Sequence, residues 1–489
     1  MEVLVEKFEL YFLWLNDSFV AMNIFLVYPL VFQKIDRASH VHHPFPALGL
    51  VYIATVLRNK GHRVEIADRN EILIKNNYDL AITDKVVLDR IKVSRSQIVG
   101  FSATTPLMYD VIHFSKLLKK ELPNIVTIAG GPHPTAEPKE TLMSCPDIDL
   151  VAEGEGEATM LELIGRFPDS NVPGIWKRAG NNLYTAGKRE LSQDLDEIPI
   201  PDRNLLNMEF YVAPTEERHL FGRHTTIFTS RGCFGRCRFC AGPLMFPGKI
   251  RYHSPDYVIE EIEKIINLYK INYIYFADDM FLTRIDRAQA ICDKIRERGL
   301  HKKMKWICQI SAVSASLPVL KMMKEAGCVL IECGFESGSQ EELDRMNKRA
   351  SVSKYYELAA IAHKVGLNFR ANMIKGYVDQ TEKDFMLSGE FIKKIKPYFT
   401  NFNNFWPLPG TEAYKELLKR GYEISWQDCT DFRQNFTKMS NERFTELTHE
   451  IQKRIVSPLN KSNFKRYHLL HHPVYLLKHI YQKNFGHSH

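Results

Sequence analysis

The chain has 489 residues, 45% hydrophobic, 25% charged and 11% aromatic, a composition that excludes disordered and fibrous proteins and leaves room for roughly two to four domains. Its 65 Lys and Arg against 58 Asp and Glu give a net charge of +7, and the whole excess lies after Glu450, where seven Lys and Arg meet no acid. Residues 1–450 therefore balance to zero, which argues against a broad nucleic-acid groove. Residues 1–22 read as an N-terminal extension. Glu2, Glu6 and Glu9 stand where a signal peptide needs positive charge, and Met22 is a second candidate start. No stretch reaches about 18 uninterrupted apolar residues, so no transmembrane helix is expected.

From residue 23 strands alternate with helices. NIFLVYPL (23–30) is a short apolar run ended by proline, and ALGLVYIATVLRNKG (47–61) has helical spacing. HRVEIADRN (62–70), QIVGFSATT (97–105), NIVTIAGG (124–131) and IDLVAEG (148–154) supply further strands. Apolar strands alternating with amphipathic helices predict a doubly wound parallel sheet over 23–165. Ligands of such sheets sit at the carboxyl ends of the strands. Those ends read SATT (102–105), GGPHPT (130–135) and EGEGE (153–157), small or hydroxylated residues that let a backbone approach a large ligand. Residues 166–218, rich in proline and polar residues, read as a linker with one small hairpin. A second series over 219–425 has strand candidates at 225–230, 272–277, 305–310, 328–334, 368–374 and 399–406. Six βα units fall short of the eight in a closed barrel, so a partial (β/α)6 barrel is predicted. Residues 426–489 are basic, aromatic and loosely helical. The fold class is thus α/β: a doubly wound sheet, a partial barrel and a helical tail.

The strongest chemical signal is SRGCFGRCRFCAG (230–242), with Cys233, Cys237 and Cys240 directly after the first barrel strand. Three thiolates on one tight loop can each hold one iron of a cubane cluster and leave the fourth iron open. A structural zinc would want a fourth ligand, and no CxxC or HxxxH pair follows. Arg231, Arg236 and Arg238 can offset an anionic cluster. Nine Cys, an odd number, fit a reducing, cytoplasmic setting better than a disulfide framework.

With Phe239 before the last Cys, this motif resembles the signature of radical S-adenosylmethionine enzymes. FADDMF (276–281), GFESGS (334–339), MIKGYVDQTE (373–382) and PLPGTE (407–412) agree in order. The resemblance covers roughly 219–425 and implies a 4Fe-4S cluster whose open iron holds S-adenosyl-L-methionine for reductive cleavage. It also implies an external one-electron reductant such as a flavodoxin or ferredoxin. Asp278 and Asp279 then fall to the cofactor's ammonium, with helix capping as the alternative. Gln309 and Ser311 fall to its ribose; Glu336, Ser337 and Gly376 are further contacts, or caps and turns.

The pattern PALGL…GHRVEIAD with GGPHPT makes residues 23–165 resemble the cobalamin-binding domain that precedes the barrel in one large class of these enzymes. Corrin contacts would come from Ser102, Thr104, Thr105, Gly130, Gly131, His133, Glu153 and Gly154. The D-x-H-x-x-G motif of base-on binding is absent, so no histidine from that motif is expected on cobalt. His133 is read as a hydrogen-bonding residue within its turn, with cobalt ligation as the alternative, and His40, His42 and His43 form a second histidine group.

Together these resemblances imply a cobalamin-dependent radical enzyme that methylates an unactivated carbon of a small metabolite, lipid or peptide. The same class includes oxidative cyclases and ring-rearranging enzymes. A methylthiotransferase-like enzyme acting on tRNA is the less favoured alternative, since residues 1–232 hold only Cys145; a non-catalytic corrin or cluster scaffold is another. The tail SNFKRYHLLHHPVYLLKHIYQKNF (462–485) has three readings: membrane-surface docking, packing over the barrel mouth, or a solvated helix pair.

Overall fold

The computed structural model describes residues 20–31, 45–212, 222–426 and 434–463. The histidines at 40–43, Cys429 and the tail from 464 lie outside the described residues.

The first sheet contains β1 (Asn23–Tyr28), β2 (Arg63–Asp68), β3 (Ile98–Ser102), β4 (Val126–Gly130), β5 (Leu150–Ala152), β6 (Ile175–Ala179) and β7 (Asn182–Thr185). Its order is β2-β1-β3-β4-β5-β6-β7. The first five are parallel, and β6 and β7 add antiparallel. The hairpin expected within 166–218 is therefore an edge of this sheet. Strand β1 shows why the sheet is covered on both faces. Phe25 and Val27 enter one apolar cluster, while Ile24 and Leu26 enter another on the opposite side, as alternation demands of a strand between two helical layers. Residues 71–96, which the sequence pattern left unassigned, hold most of the helices Arg69–Lys75 and Leu80–Ser94, capped by Asp68 and Asp79.

The second sheet takes β8 (His224–Ile227), β11 (Tyr273–Phe276), β12 (Lys305–Ile310), β13 (Cys328–Glu336), β14 (Asn368–Lys375) and β15 (Phe399–Asn404), in the order β15-β14-β13-β12-β11-β8. Every pair is parallel, giving the six-unit partial barrel. A two-stranded ribbon, β9 (Ser230–Arg231) with β10 (Arg251–Tyr252), brackets the cysteine loop. The barrel core is aromatic, with Phe276 stacked on Trp306 at 4.8 Å between centroids.

The helix Asn441–Ile451 and the π turn Gln452–Val456 that continues it close the far edge. Leu447, Ile451 and Val456 are buried in the barrel core. The Ile451 side chain lies so close to Gly389 that a Cβ there would stand 2.8 Å from Ile451 Cδ1. Asn460 donates to Thr400 O at 3.1 Å and accepts from Thr400 N at 2.9 Å, satisfying the open edge of β15. Among the described residues, no helix is long and apolar enough to cross a membrane.

Candidate active site

The strand order of the first sheet reverses between β1 and β3, and a crevice at the carboxyl ends is expected there. A cavity of about 290 Å³ lies at this point, between the first sheet and the mouth of the barrel. Its sheet side is backbone: Gly49, Gly100, Gly130, Gly131, Gly154 and Gly156 all line it. At Gly49 and Gly154 a Cβ would meet nothing within 4 Å, so the missing side chains keep floor space open. At Gly131, with φ +98°, a Cβ would stand 2.8 Å from Ala103 N, so only glycine makes that turn. The opposite side is Phe228, Ser230, Arg231, Met245, Phe246, Ala277 and Asp279, residues that flank the cysteine loop and end β11. A mostly apolar cavity walled by glycine backbone lets the chain approach a large ring closely, and the residues present fit a corrin.

The cysteine loop is shaped for sulfur ligation. Gly235 N–H donates to Cys233 Sγ at 3.2 Å, and Gly242 N–H to Cys240 Sγ at 3.3 Å. A Cβ at Gly235 would lie 3.3 Å from Cys233 Sγ and 3.7 Å from Cys237 Sγ, so a side chain there would crowd both thiols. Burial pushes all three thiols up, Cys237 to about 11, while the Gly235 and Gly242 amides pull Cys233 and Cys240 back down. Metal coordination would deprotonate them outright. Phe239 packs edge-on against Tyr377 at 6.3 Å and holds the loop to the barrel end.

Several sequence-predicted residues have other duties. Asp278 is 2% exposed. Its carboxylate accepts from Thr229 N and Oγ1 at 2.6 and 2.5 Å and from Ser230 Oγ at 2.7 Å. It braces the strand before the cysteine loop, so of the acidic pair only Asp279 faces the cavity. Asp279 accepts from Gly232 N–H at 3.2 Å, and burial raises its carboxyl. Ser311 caps the short helix Ala312–Ser314. Ser337 is fully buried, donating to Glu342 Oε2 at 2.6 Å, and does not reach the cavity. Gly376, at φ +78°, donates its N–H to Gln380, and a Cβ there would meet the Phe444 ring at 3.1 Å. Gln309 sits half-buried on β12, and its carbonyl accepts from Phe281 N at 2.9 Å. Glu336 pairs with Lys348 at 2.8 Å close to Cys237, whose thiol feels both charges.

In the first domain Ser102, Gly130, Gly131 and Gly154 line the cavity. Thr104 is exposed. Thr105 Oγ1 is 3.2 Å from His133 Nδ1, and His133 Nε2 is 3.5 Å from Glu140. With Trp426 edge-on at 5.3 Å, His133 is 2% exposed and held within its turn. Glu153 accepts from Trp176 Nε1 at 2.6 Å and pairs with Lys188 at 2.9 Å, turned toward the hairpin.

Sequence reasoning missed Glu155 and Glu157. Arg231 Nη1 meets Glu155 at 3.0 Å and its Nη2 meets Glu157 at 2.7 Å; Arg251 meets Glu155 at 2.5 Å. These nearly buried pairs tie the cysteine loop to the glycine floor. The arginines expected to offset the cluster are thus largely committed elsewhere, Arg231 here and Arg238 to Glu416 at 2.5 Å. The signal was present in EGEGE, whose alternate acids flank the glycines that line the cavity.

This arrangement can be set beside known proteins. The radical SAM superfamily model matches residues 227–392, and the B12 binding domain model matches residues 36–164. An uncharacterized methyltransferase of Pyrococcus horikoshii is 32% identical over 84% of this chain and 86% of its own length. The anaerobic magnesium-protoporphyrin IX monomethyl ester cyclase of Cereibacter sphaeroides is 24% identical, over 81% of this chain and 64% of that protein. In fold, the chain resembles the radical S-adenosylmethionine methyltransferase TsrM of Kitasatospora setae, solved with cobalamin and a [4Fe-4S] cluster. The TM-score is 0.66 at 16% identity, over 82% of this chain and 75% of that one. The chain belongs to the radical S-adenosylmethionine enzymes that carry an N-terminal cobalamin-binding domain. Its cofactors are a 4Fe-4S cluster, S-adenosylmethionine and cobalamin.

Proposed function

We propose that this enzyme transfers a methyl group to an unactivated carbon of a small organic substrate. One observation carries the reading: the glycine floor and the segments that flank the cysteine loop, Ser230–Arg231 and Met245–Phe246, line opposite sides of a single cavity, so a carried group and a radical source would meet there. When bound, the cluster and corrin supply one-electron cleavage of S-adenosylmethionine and carriage of a methyl group. The chain's own part is positional. Cys233, Cys237 and Cys240 would hold the cluster, and the Gly130–Gly131 and Gly154–Gly156 backbones would hold the corrin. Asp279, which lines the cavity, would meet the ammonium of S-adenosylmethionine. Leu26, Leu50, Ile53, Phe101, Phe228 and Phe246 keep water from the reacting centre. The relatives named as methyltransferases support the reading, among them the hopanoid C-3 methylase of Methylococcus capsulatus at 25% identity. All eight described cysteines are unpaired, which supports a reducing compartment such as the cytoplasm.

Turnover should release S-adenosylhomocysteine and 5′-deoxyadenosine in near-equal amounts, with a deuterated methyl group appearing in the product. If 5′-deoxyadenosine alone accumulates as substrate disappears, oxidative cyclisation becomes the better reading, as the similarity to the cyclase favours.

A further inference from the structure

The inner face of the barrel sheet is polar where a closed core would be apolar. Phe369, Ala371 and Met373 of β14 pack outward into the helical layer, so alternation turns Arg370 and Asn372 inward. On the neighbouring strands Gln309 and Glu332 stand in register with Arg370, and Asn401 with Asn372. Arg370 Nη1 donates to Glu332 Oε1 at 2.6 Å, so the two charges cancel, while Arg370 Nε is buried with no partner. Asn401 Nδ2 donates to Asn372 Oδ1 at 2.8 Å. That bond uses one amide's donor and the other's acceptor. The Asn372 amino group and the Asn401 carbonyl oxygen meet no other partner among the described residues, and both residues are half-buried. Polar groups inside a folded protein are ordinarily satisfied; here an unused donor stands beside an unused acceptor.

This face reaches the cofactor cavity through a smaller one of about 240 Å³, walled by Tyr28, Phe45, Phe228 and Tyr275 and lined by no charged residue. Phe228 and Ala277 line both cavities. Phe45 lies against Tyr275 at 5.9 Å between centroids. Tyr275 in turn feels Glu332 and Arg370, and burial with the Glu332 carboxylate pushes its hydroxyl up. An aromatic chamber thus leads from the cofactor cavity to the paired amides. We propose that the barrel interior binds the substrate by a carboxamide, held between Asn372 and Asn401, with an apolar or aromatic body in the chamber. This names a substrate class for the methyl transfer proposed above and rests on that reading. A carboxamide offers an N–H to the Asn401 oxygen and a carbonyl to the Asn372 amino group. An ester cannot donate, and a carboxylate neither donates nor tolerates Glu332 nearby, so each leaves a polar group of the site unpaired.

The test measures binding without turnover. The full chain with its reconstituted cluster is saturated with hydroxocobalamin and S-adenosylhomocysteine, because a corrin carries carboxamides and adenine has a donor–acceptor edge of its own. Phenylacetamide, methyl phenylacetate and phenylacetate are then titrated anaerobically by saturation-transfer nuclear magnetic resonance. Phenylacetamide should bind about tenfold more tightly than the other two. Asn372→Leu and Asn401→Leu, close in volume to the native residues, should each bring it down to the level of the ester, with the melting temperature as a check on folding. If a variant does not fold, the three probes on the native chain decide. Equal binding of the three, or a preference for the amide that survives Asn372→Leu, would overturn the site. Displacement of phenylacetamide by either cofactor would assign the two amides to that cofactor and overturn it as a substrate site. Failure of methyl transfer is read separately, from the products of S-adenosylmethionine, and would leave a measured amide preference standing.

Discussion

Adjacent acids at the end of β11 have opposite fates, and each predicts a different phenotype. Asp278 satisfies three donors from Thr229 and Ser230, so Asp278→Asn should lower stability by about 1.5–3 kcal/mol, read as a shifted urea midpoint. Asp279→Asn should leave that midpoint in place and weaken S-adenosylmethionine binding, measured by calorimetry on the reconstituted protein. Glu342 offers a pH test. Burial pushes its carboxyl up to about 7 from the ordinary 4.5, against the Ser337 hydrogen bond that pulls it down. The folded state therefore holds this proton more tightly than the unfolded chain does. Its contribution to stability is greatest below about pH 4.5 and is lost as pH rises through about 7. Glu342→Gln, which cannot ionise, should be more stable than the native protein above about pH 7 by on the order of 2–3 kcal/mol, read as a higher melting temperature, with the gap closing as the pH falls.

The segments that meet at the cavity are joined by charge. Glu155 stands just before the helix Gly156–Arg166, and its side chain accepts from both Arg231 and Arg251. Arg231 is two residues before Cys233, and Glu155 lies between two glycines of the floor. Burial opposes ionisation of Glu155, and the two guanidiniums override it, holding its carboxyl below the usual range. Glu155→Ala would leave the buried Arg251 without a carboxylate and Arg231 with Glu157 alone, and should cost about 3–5 kcal/mol. The same substitution should reduce retained corrin, because the floor and the cysteine loop would lose their common anchor. Thermal unfolding and the cobalamin absorbance of the purified variant check both.

Across the whole molecule, the chain closes on itself twice. Trp426, after the last barrel strand, enters the first domain's core and donates to Glu140 Oε1 at 2.7 Å. The helix beginning at Asn441 then covers the barrel edge. A chain ending at residue 440 would lose Leu447, Ile451 and Val456 and uncover the barrel-core side chains they pack against, together with the β15 edge. At about 1.5–3 kcal/mol for each buried side chain, the loss rivals the roughly 5–15 kcal/mol net stability of a folded domain. Such a chain should be recovered insoluble, or should melt without a cooperative transition.

What could be read along the chain is what local chemistry dictates. Strands such as Lys305–Ile310 and Cys328–Glu336 were legible because buried parallel strands need unbroken apolar runs. The cysteine loop was legible because three ligands to one cluster must lie close in sequence. The glycine-rich strand ends were legible as a floor because backbone approach excludes side chains. Other assignments depended on partners far along the chain. Nothing local separates Asp278 from Asp279, whose roles diverge because Thr229 and Ser230 fold against only one of them. His133 was legible as a hydrogen-bonding residue of its turn, but its neighbours Thr105 and Trp426 come from distant parts of the chain. Arg231 looked like a counter-charge for the cluster until Glu155 and Glu157 arrived from the other sheet. A side chain's chemistry is local, but its availability depends on which groups satisfy it first, and those groups come together only when the two sheets pack edge to mouth.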